Sequence, residues 1–154
     1  MTTQAVELLE ACDLVAMVQC MGIDADAFPY ASAHFGLKAE SARVWVVRAG
    51  RANRVVGFLA ARVRGGAMHV EGLAVERGVR RRGFGRALVR VAVAHGRSVG
   101  LRAIGLHVSV TNLPAISLYR TEGFTTGERL EAFYPAAAFG GERDALAMQL
   151  SLAR

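Results

Sequence analysis

The sequence predicts a mixed α/β fold (α+β in some schemes): a central, mostly antiparallel sheet flanked by helices. Three observations carry that expectation. Apolar strand-like runs follow one another from residue 43 to 75 with only short turn-forming segments between them, the pattern of antiparallel hairpins. At Phe84 the apolar period changes from that of a strand to that of a helix. Beyond it a strand, a helix and two more strands follow, and a crossover inside a meander makes a mixed sheet with helices on both sides.

Each element has a local reason. Asp13 to Met21 reads as a helix with Leu14, Val15, Val18 and Met21 on its apolar face. Ala25 to Glu40 is irregular or weakly helical, broken at Pro29. Arg43–Arg48 and Arg54–Arg64 are strands around the turn Arg51-Ala52-Asn53, and Gly65-Gly66 turns the chain into the strand Ala67–Val75. That strand is expected to place His69, Glu71, Leu73 and Val75 on one side. Phe84, Ala87, Leu88, Val91, Ala92 and His95 recur at helical spacing, with Gly96 and Gly100 bracketing the exit. Ala103–Val110 is a strand in which His107 points opposite to Ile104 and Leu106. Pro114–Glu122 is a short helix, with Pro114 in its first turn, Asn112 or Thr111 as cap and Gly123 as its stop. Thr125–Phe133 and Asp144–Leu152 are the last strands, joined by an Ala/Gly-rich, mobile connection from Tyr134 to Arg143.

The chain has 154 residues, and 53% are apolar. One domain over residues 1–154 is expected, with a core large enough to need no staples. No apolar run spans a bilayer and no signal-peptide pattern opens the chain, so the cytoplasm is the expected compartment. Cys12 and Cys20 fit no metal or redox spacing and read as small buried hydrophobes; no metal is expected. The net charge is +6, carried almost wholly by arginine, the residue best shaped for phosphate. Arg77, Arg80, Arg81, Arg82, Arg86 and Arg90 crowd one turn and the helix start after it.

That turn, Val75 to Arg86, is the first chemical signal. A glycine-bearing helix N-terminus offers backbone N–H groups and a favourable dipole to an anion. Gly83 and Gly85 would let the backbone approach a phosphorylated ligand closely. Gly83-Phe84-Gly85-Arg86-Ala87-Leu88 lacks the third glycine of a dinucleotide fingerprint, and the strands before it read as antiparallel. The Gly-Lys-Ser/Thr of a nucleotide P-loop is also absent. A nucleic-acid surface calls for interleaved aromatics and a broad basic face, whereas only Phe84 lies within this cluster.

The form that remains, Arg80-x-x-Gly83-x-Gly85 after Leu73-Ala74-Val75, resembles the pyrophosphate loop of the GCN5-related N-acetyltransferase (GNAT) family. Asn112, Ala115-Ile116-x-Leu118-Tyr119 and Gly123-Phe124 resemble that family's second motif, and the likeness extends over roughly Val44 to Leu152. The resemblance implies the acyl-CoA N-acyltransferase fold and direct transfer of an acetyl group from acetyl-CoA to a primary amine. It implies a cofactor site at Leu73, Ala74 and Val75, the turn Arg80, Arg81, Arg82, Gly83, Phe84, Gly85 and Arg86, and Asn112, Ala115 and Tyr119. A backbone N–H near Leu73 or Ala74 would face the oxyanion, where the family splays two strands apart, and Tyr119 would protonate the departing thiolate. For the base, Glu71 matches a common family acid, and His107 titrates in a suitable range.

Phe28-Pro29, Phe133-Tyr134-Pro135 and Glu142 to Met148 resemble the family branch that acetylates protein N-termini, including the ribosomal-protein alanine N-acetyltransferases. That branch has Tyr-Tyr-Pro where this chain has Phe133-Tyr134-Pro135, and a glutamate base where it has His107. A protein N-terminal α-amine is therefore the expected acceptor. A small-molecule amine (polyamine, amino sugar or antibiotic) is the alternative, and a non-catalytic acyl-CoA-binding module the rival of another class. Homodimerisation is common in such folds.

Overall fold

The computed structural model describes residues 5–8, 14–27, 43–135 and 141–153. Its elements are β1 (Val6–Leu8), α1 (Leu14–Ala27), β2 (Arg43–Ala49), β3 (Arg54–Arg64), β4 (Ala67–Val75), a 3-10 turn (Arg77–Val79), α2 (Phe84–Ser98), β5 (Ala103–Ser109), α3 (Leu113–Thr121), β6 (Thr125–Leu130) and β7 (Ala145–Ser151). The strands form one seven-stranded sheet in the order β1-β2-β3-β4-β5-β7-β6. All neighbours are antiparallel except β4 and β5, which α2 joins as a parallel pair. The expected mixed, mostly antiparallel sheet is thus observed.

Two apolar layers hold the sheet. On one face Phe84, Leu88 and Ala92 of α2 and Ile116 and Tyr119 of α3 pack against Leu59, Met68, Ile104, Leu106, Val108 and Met148. On the other face Ala16, Cys20 and Ile23 of α1 cover Val46, Val55, Phe58 and Ala74. This reverses the expected face of α1. Val15, Val18 and Met21 are 68%, 66% and 51% exposed, while Ala16 and Cys20 are fully buried. The helix is apolar on nearly every side, so its buried face is set by fit: small residues let it lie close to β3, and Gln19 accepts the Val55 N–H at 2.9 Å. The helix also runs on to Ala27, into the stretch expected to be irregular. Cys20 is a buried thiol, as expected; Cys12, Phe28, Pro29 and residues 136–140 of the last connection lie outside the described residues.

Other boundaries moved for identifiable reasons. Gly96 lies inside α2 rather than at its exit, because a Cβ there would come within 2.7 Å of Leu152 Cδ1. β6 stops at Leu130, and Ala132 follows with a positive φ of 51°. The three-residue β1 carries no pattern long enough to be read from sequence. Among the described residues no helix is long and apolar enough to cross a membrane, and no cluster of metal-ligating side chains occurs.

One irregularity shapes the centre. β3 and β4 pair Ala61 with Val70 but Ala60 with Gly72, so Glu71 is an extra residue, a β-bulge. The bulge switches the faces of β4. Met68 and Val70 before it and Leu73 and Val75 after it all join the α2 layer, while Ala74 joins the α1 layer. His69 and Glu71 therefore do not share a face with Leu73 and Val75, contrary to the plain alternation.

Candidate active site

The parallel pairing of β4 with β5 runs only from Ala67↔Ala103 to Val70↔Leu106. Both strands continue, to Val75 and Ser109, so they diverge beyond the bulge. The result is a V-shaped opening in mid-sheet, with residues 71–75 on one arm and His107 to Ser109 on the other. The β5-facing backbone of Leu73 and Ala74 lies along that arm, outside the parallel ladder.

The basic turn closes one end of the opening. Arg80 Nε donates to the Val75 carbonyl at 2.8 Å, tying the turn to the end of β4. Arg81 and Gly83 adopt left-handed backbone (φ 66° and 84°), which costs glycine little and explains Gly83. Gly83 is the N-cap of α2 and supplies no side-chain cap, so the first-turn N–H groups keep their anion-binding capacity. Gly85 has a second reason to be glycine. A Cβ there would sit 3.3 Å from Leu118 Cδ2 and 3.8 Å from Leu73 Cδ2, so its absence lets α2 lie against both α3 and β4. The Phe84 ring is buried in the core, leaving only its backbone at the turn. Arg86 and Arg90 pair with Glu122 at 3.0 and 2.8 Å, which binds α2 to the end of α3.

The second motif proves to be a positioning device. Asn112 Oδ1 accepts the Ala115 N–H at 3.3 Å, a helix N-cap. At the other end Phe124 N–H bonds the Tyr119 carbonyl at 2.9 Å and Gly123 N–H that of Arg120 at 3.0 Å. Gly123 has a φ of 95°. These are the two bonds of a Schellman motif, and its usual apolar contact is the Tyr119–Phe124 ring pair, 5.6 Å between centroids. The Gly-Phe pair thus fixes the ring of Tyr119. Burial first, then the Tyr134 phenol, push the Tyr119 pKa well above that of a free phenol.

His107 stands at the other side of the opening. Its ring lies 4.7 Å from that of Phe133, which meets Tyr134 edge-on at 5.0 Å. Tyr134 is pinned by Arg143: its N–H donates to the Arg143 carbonyl, and Arg143 Nε donates to its carbonyl, both at 2.9 Å. Desolvation, then the neighbouring His69, lower the pKa of His107. The imidazole is neutral near pH 7 and free to take a proton. Glu71, the other candidate base, is bonded to Arg62 of β3 at 2.7 Å, a partner the strand pattern alone did not reveal.

The opening thus has Leu73, Ala74 and Val75 on one arm, His107 on the other with the Phe133-Tyr134 pair beside it, and the Arg80–Gly83 turn at its end; Tyr119 is buried in the α2 layer. Glu71, at the bulge, is occupied by Arg62. His69 drew no role from sequence, although alternation in β4 and β5 places it on the His107 side. A depression of about 330 Å³ spreads from His69 and His107 across β5, β7 and β6, lined also by Thr125, Glu128 and Gln149.

Known proteins share this fold and parts of this sequence. A mycothiol acetyltransferase from Thermomonospora curvata is 35% identical over 97 residues, covering 58% of this chain and 32% of that protein. The chain spans about a third or less of the curated relatives it matches. Two solved structures share the fold across nearly the whole chain. The Escherichia coli ribosomal-protein-S18-alanine N-acetyltransferase has a TM-score of 0.81 at 21% identity, covering 98% of this chain and 95% of that one. A Bacillus subtilis acetyltransferase in complex with CoA has a TM-score of 0.82 at 19% identity, covering 97% and 99%. The model of the acetyltransferase (GNAT) family matches residues 8–124. With its split sheet and glycine-capped α2, this chain belongs to the acetyltransferase (GNAT) family.

Proposed function

We propose that the protein transfers an acetyl group from acetyl-CoA directly to a primary amine. The observation that carries this reading is the divergence of β4 and β5 beside the uncapped start of α2. A pantetheine arm fits such an opening, with its pyrophosphate against the α2 amides and its thioester between the strands. Gly83 and its neighbours hold the pyrophosphate, and Arg80, Arg81 and Arg82 add charge. Asn112 and Ala115 flank the arm, although their own hydrogen bond caps α3. A backbone N–H near Leu73 or Ala74 faces the oxyanion.

His107 takes the proton that the ammonium form of the acceptor must lose. Tyr119, held protonated by its burial, donates a hydrogen bond to the departing sulfur. Because its pKa is raised further above that of a thiol (about 8.5), the phenol eases departure chiefly as a hydrogen-bond donor to the developing thiolate, and the proton that the nitrogen loses as the amide forms balances the thiolate's charge.

The acceptor is best read as an α-amine at a protein N-terminus. An α-amino group has a pKa of about 8 and a lysine-type amine about 10.4. An imidazole base below its ordinary value deprotonates the first at a cost lower by roughly 3 kcal/mol. The Phe133-Tyr134 lip and the fold of the S18-alanine enzyme support the same class. A small-molecule amine is the second reading, favoured by the mycothiol acetyltransferase relative. Thiol release from acetyl-CoA against Ala- and Ser-initiated peptides, N-blocked lysine peptides, polyamines and amino sugars separates them. Release with free N-terminal peptides alone is expected. Release with amino sugars or polyamines alone moves the assignment to the second reading, and cofactor binding without release on any amine leaves a non-catalytic acyl-CoA-binding module.

A further inference from the structure

The depression that begins at His107 ends on a carboxylate. It lies on the face of β5, β7 and β6 away from α2, where His107 pairs with Ala147 and Gly105 with Gln149. β6 is irregular where it passes Ala147. Thr126 pairs with Met148 and Arg129 with Leu146, so Gly127 and Glu128 both stand opposite Ala147, a β-bulge. Met148 and Leu146 belong to the α2 layer, which puts Thr126 and Arg129 on that side. Strict alternation would send Glu128 there too. The bulge instead brings the Glu128 side chain into the lining of the depression. Gly105, Ala147 and Gly127 make its floor low, and a Cβ on Gly127 would already sit 3.3 Å from the Ala147 carbonyl oxygen.

Charge sets Glu128 apart. The chain carries 19 lysines and arginines, yet none of them lines this depression. Other acids are answered: Glu71 by Arg62, Glu122 by Arg86 and Arg90, Asp144 by Arg129. Glu128 is exposed and has no hydrogen-bond or ion-pair partner among the described residues. A charge that only deters pairing at an edge strand needs no bulge to turn it. Here the bulge turns it towards the trough that starts at the proposed base.

Resting on the reading that the acceptor amine reacts at His107, we propose that Glu128 is a specificity-determining residue: it selects acceptors with a second positive charge about 10 Å from the reacting amine. β5 and β6 are separated by β7, and two strand spacings of about 4.8 Å set that span. The reacting amine enters neutral at His107, while the second cation keeps its charge and reaches over the low floor to Glu128. An extended peptide advances about 3.5 Å per residue, so a Lys or Arg side chain at its second or third position covers the distance. The distal ammonium of a polyamine covers it as well. A neutral side chain gains nothing there.

The test measures initial rates of thiol release from acetyl-CoA for the full chain and its Glu128→Gln and Glu128→Lys variants. The acceptors are Ala-initiated peptides with Lys, Arg or Gln at the second or third position, and polyamines. The unaltered protein is expected to show an acceptor KM about threefold to fivefold lower for the cationic peptides, the size of an exposed ion pair. Glu128→Gln should erase that difference and Glu128→Lys reverse it. The acetyl-CoA KM and the KM for the Gln peptides should stay unchanged in Glu128→Gln. Raising NaCl from about 0.02 M to 0.5 M should shrink the preference. Equal KM for cationic and Gln peptides in the unaltered protein, or a preference that survives Glu128→Gln, overturns the proposal and leaves the N-terminal reading intact. Release with polyamines alone, weakened by Glu128→Gln, supports the charge selection and overturns the N-terminal reading. Release with no amine overturns both.

Discussion

Tyr119 owes its position to the two residues that end α3. Gly123 turns the chain out of α3 with a left-handed φ, and Phe124 returns to stack on the tyrosine ring. The motif was legible in sequence because such a stop needs glycine at one fixed offset. Its chemical role is expected to appear in one variant: Tyr119→Phe keeps the ring contact and removes the hydroxyl. Turnover should fall by about 10²-fold while the acetyl-CoA KM stays within about twofold, measured by initial rates with each substrate varied. Unchanged turnover removes the acid role. His107 adds a pH dependence with a definite sign. Its pKa is lowered, and in the proposed role the neutral form is the base, so its limb of kcat/KM should rise with pH through a midpoint below about 6.5. His107→Gln should abolish that limb. The ion pair of Glu71 with Arg62 was not legible, because it depends on a bulge that one strand's alternation cannot reveal.

At the scale of elements, legibility followed the punctuation of the chain. β3 and β4 came out with their expected bounds because Gly65-Gly66 allows only a turn between them, and both glycines have positive φ. The face of α1 did not, because an almost wholly apolar helix has no polar side to identify; the fit of Ala16 and Cys20 against β3 decided it. The α2–α3 contact was hidden for a related reason: glycine at position 85 reads equally as a ligand-approach residue and as a packing residue. A substitution separates these roles. Gly85→Ala gains about 1 kcal/mol of helix propensity and meets Leu118 Cδ2 at 3.3 Å, so thermal stability should change little. The same contact lifts the first turn of α2 away from α3 and β4. The acetyl-CoA KM should therefore rise several-fold at near-constant Tm, checked by thermal unfolding beside initial-rate kinetics. A large fall in Tm with unchanged KM would mean that this glycine serves packing alone.

For the molecule as a whole, the decisive quantity is where the charge lies rather than its sum. Net +6 on 154 residues would suit a nucleic-acid binder if the arginines formed a broad face. Instead Arg86 and Arg90 are answered by Glu122, Arg62 by Glu71, Arg129 by Asp144, and Arg54 by Glu76. The basic turn carries Arg80, Arg81 and Arg82, exposed beside the start of α2, with Arg80 bonded to the Val75 carbonyl, and Phe84, the aromatic within it, is buried. Such a patch is small, and it sits where a cofactor's phosphates would lie. Its attraction is screened over a Debye length of about 10 Å at 0.1 M salt and 3 Å at 1 M. Raising NaCl from about 0.02 M to 0.5 M should therefore raise the acetyl-CoA KM several-fold and leave kcat, which reports the saturated enzyme, nearly unchanged. Arg81→Ala and Arg82→Ala should each reduce that salt slope, whereas Arg90→Ala, which removes a partner of Glu122, should not. A flat KM across the salt range would place the phosphates elsewhere. A steep salt dependence of RNA binding, with none for acetyl-CoA, would turn the same turn into a nucleic-acid contact. The two outcomes differ in which anion the uncapped amides of α2 hold, and that is the link by which this fold connects its charge to its chemistry.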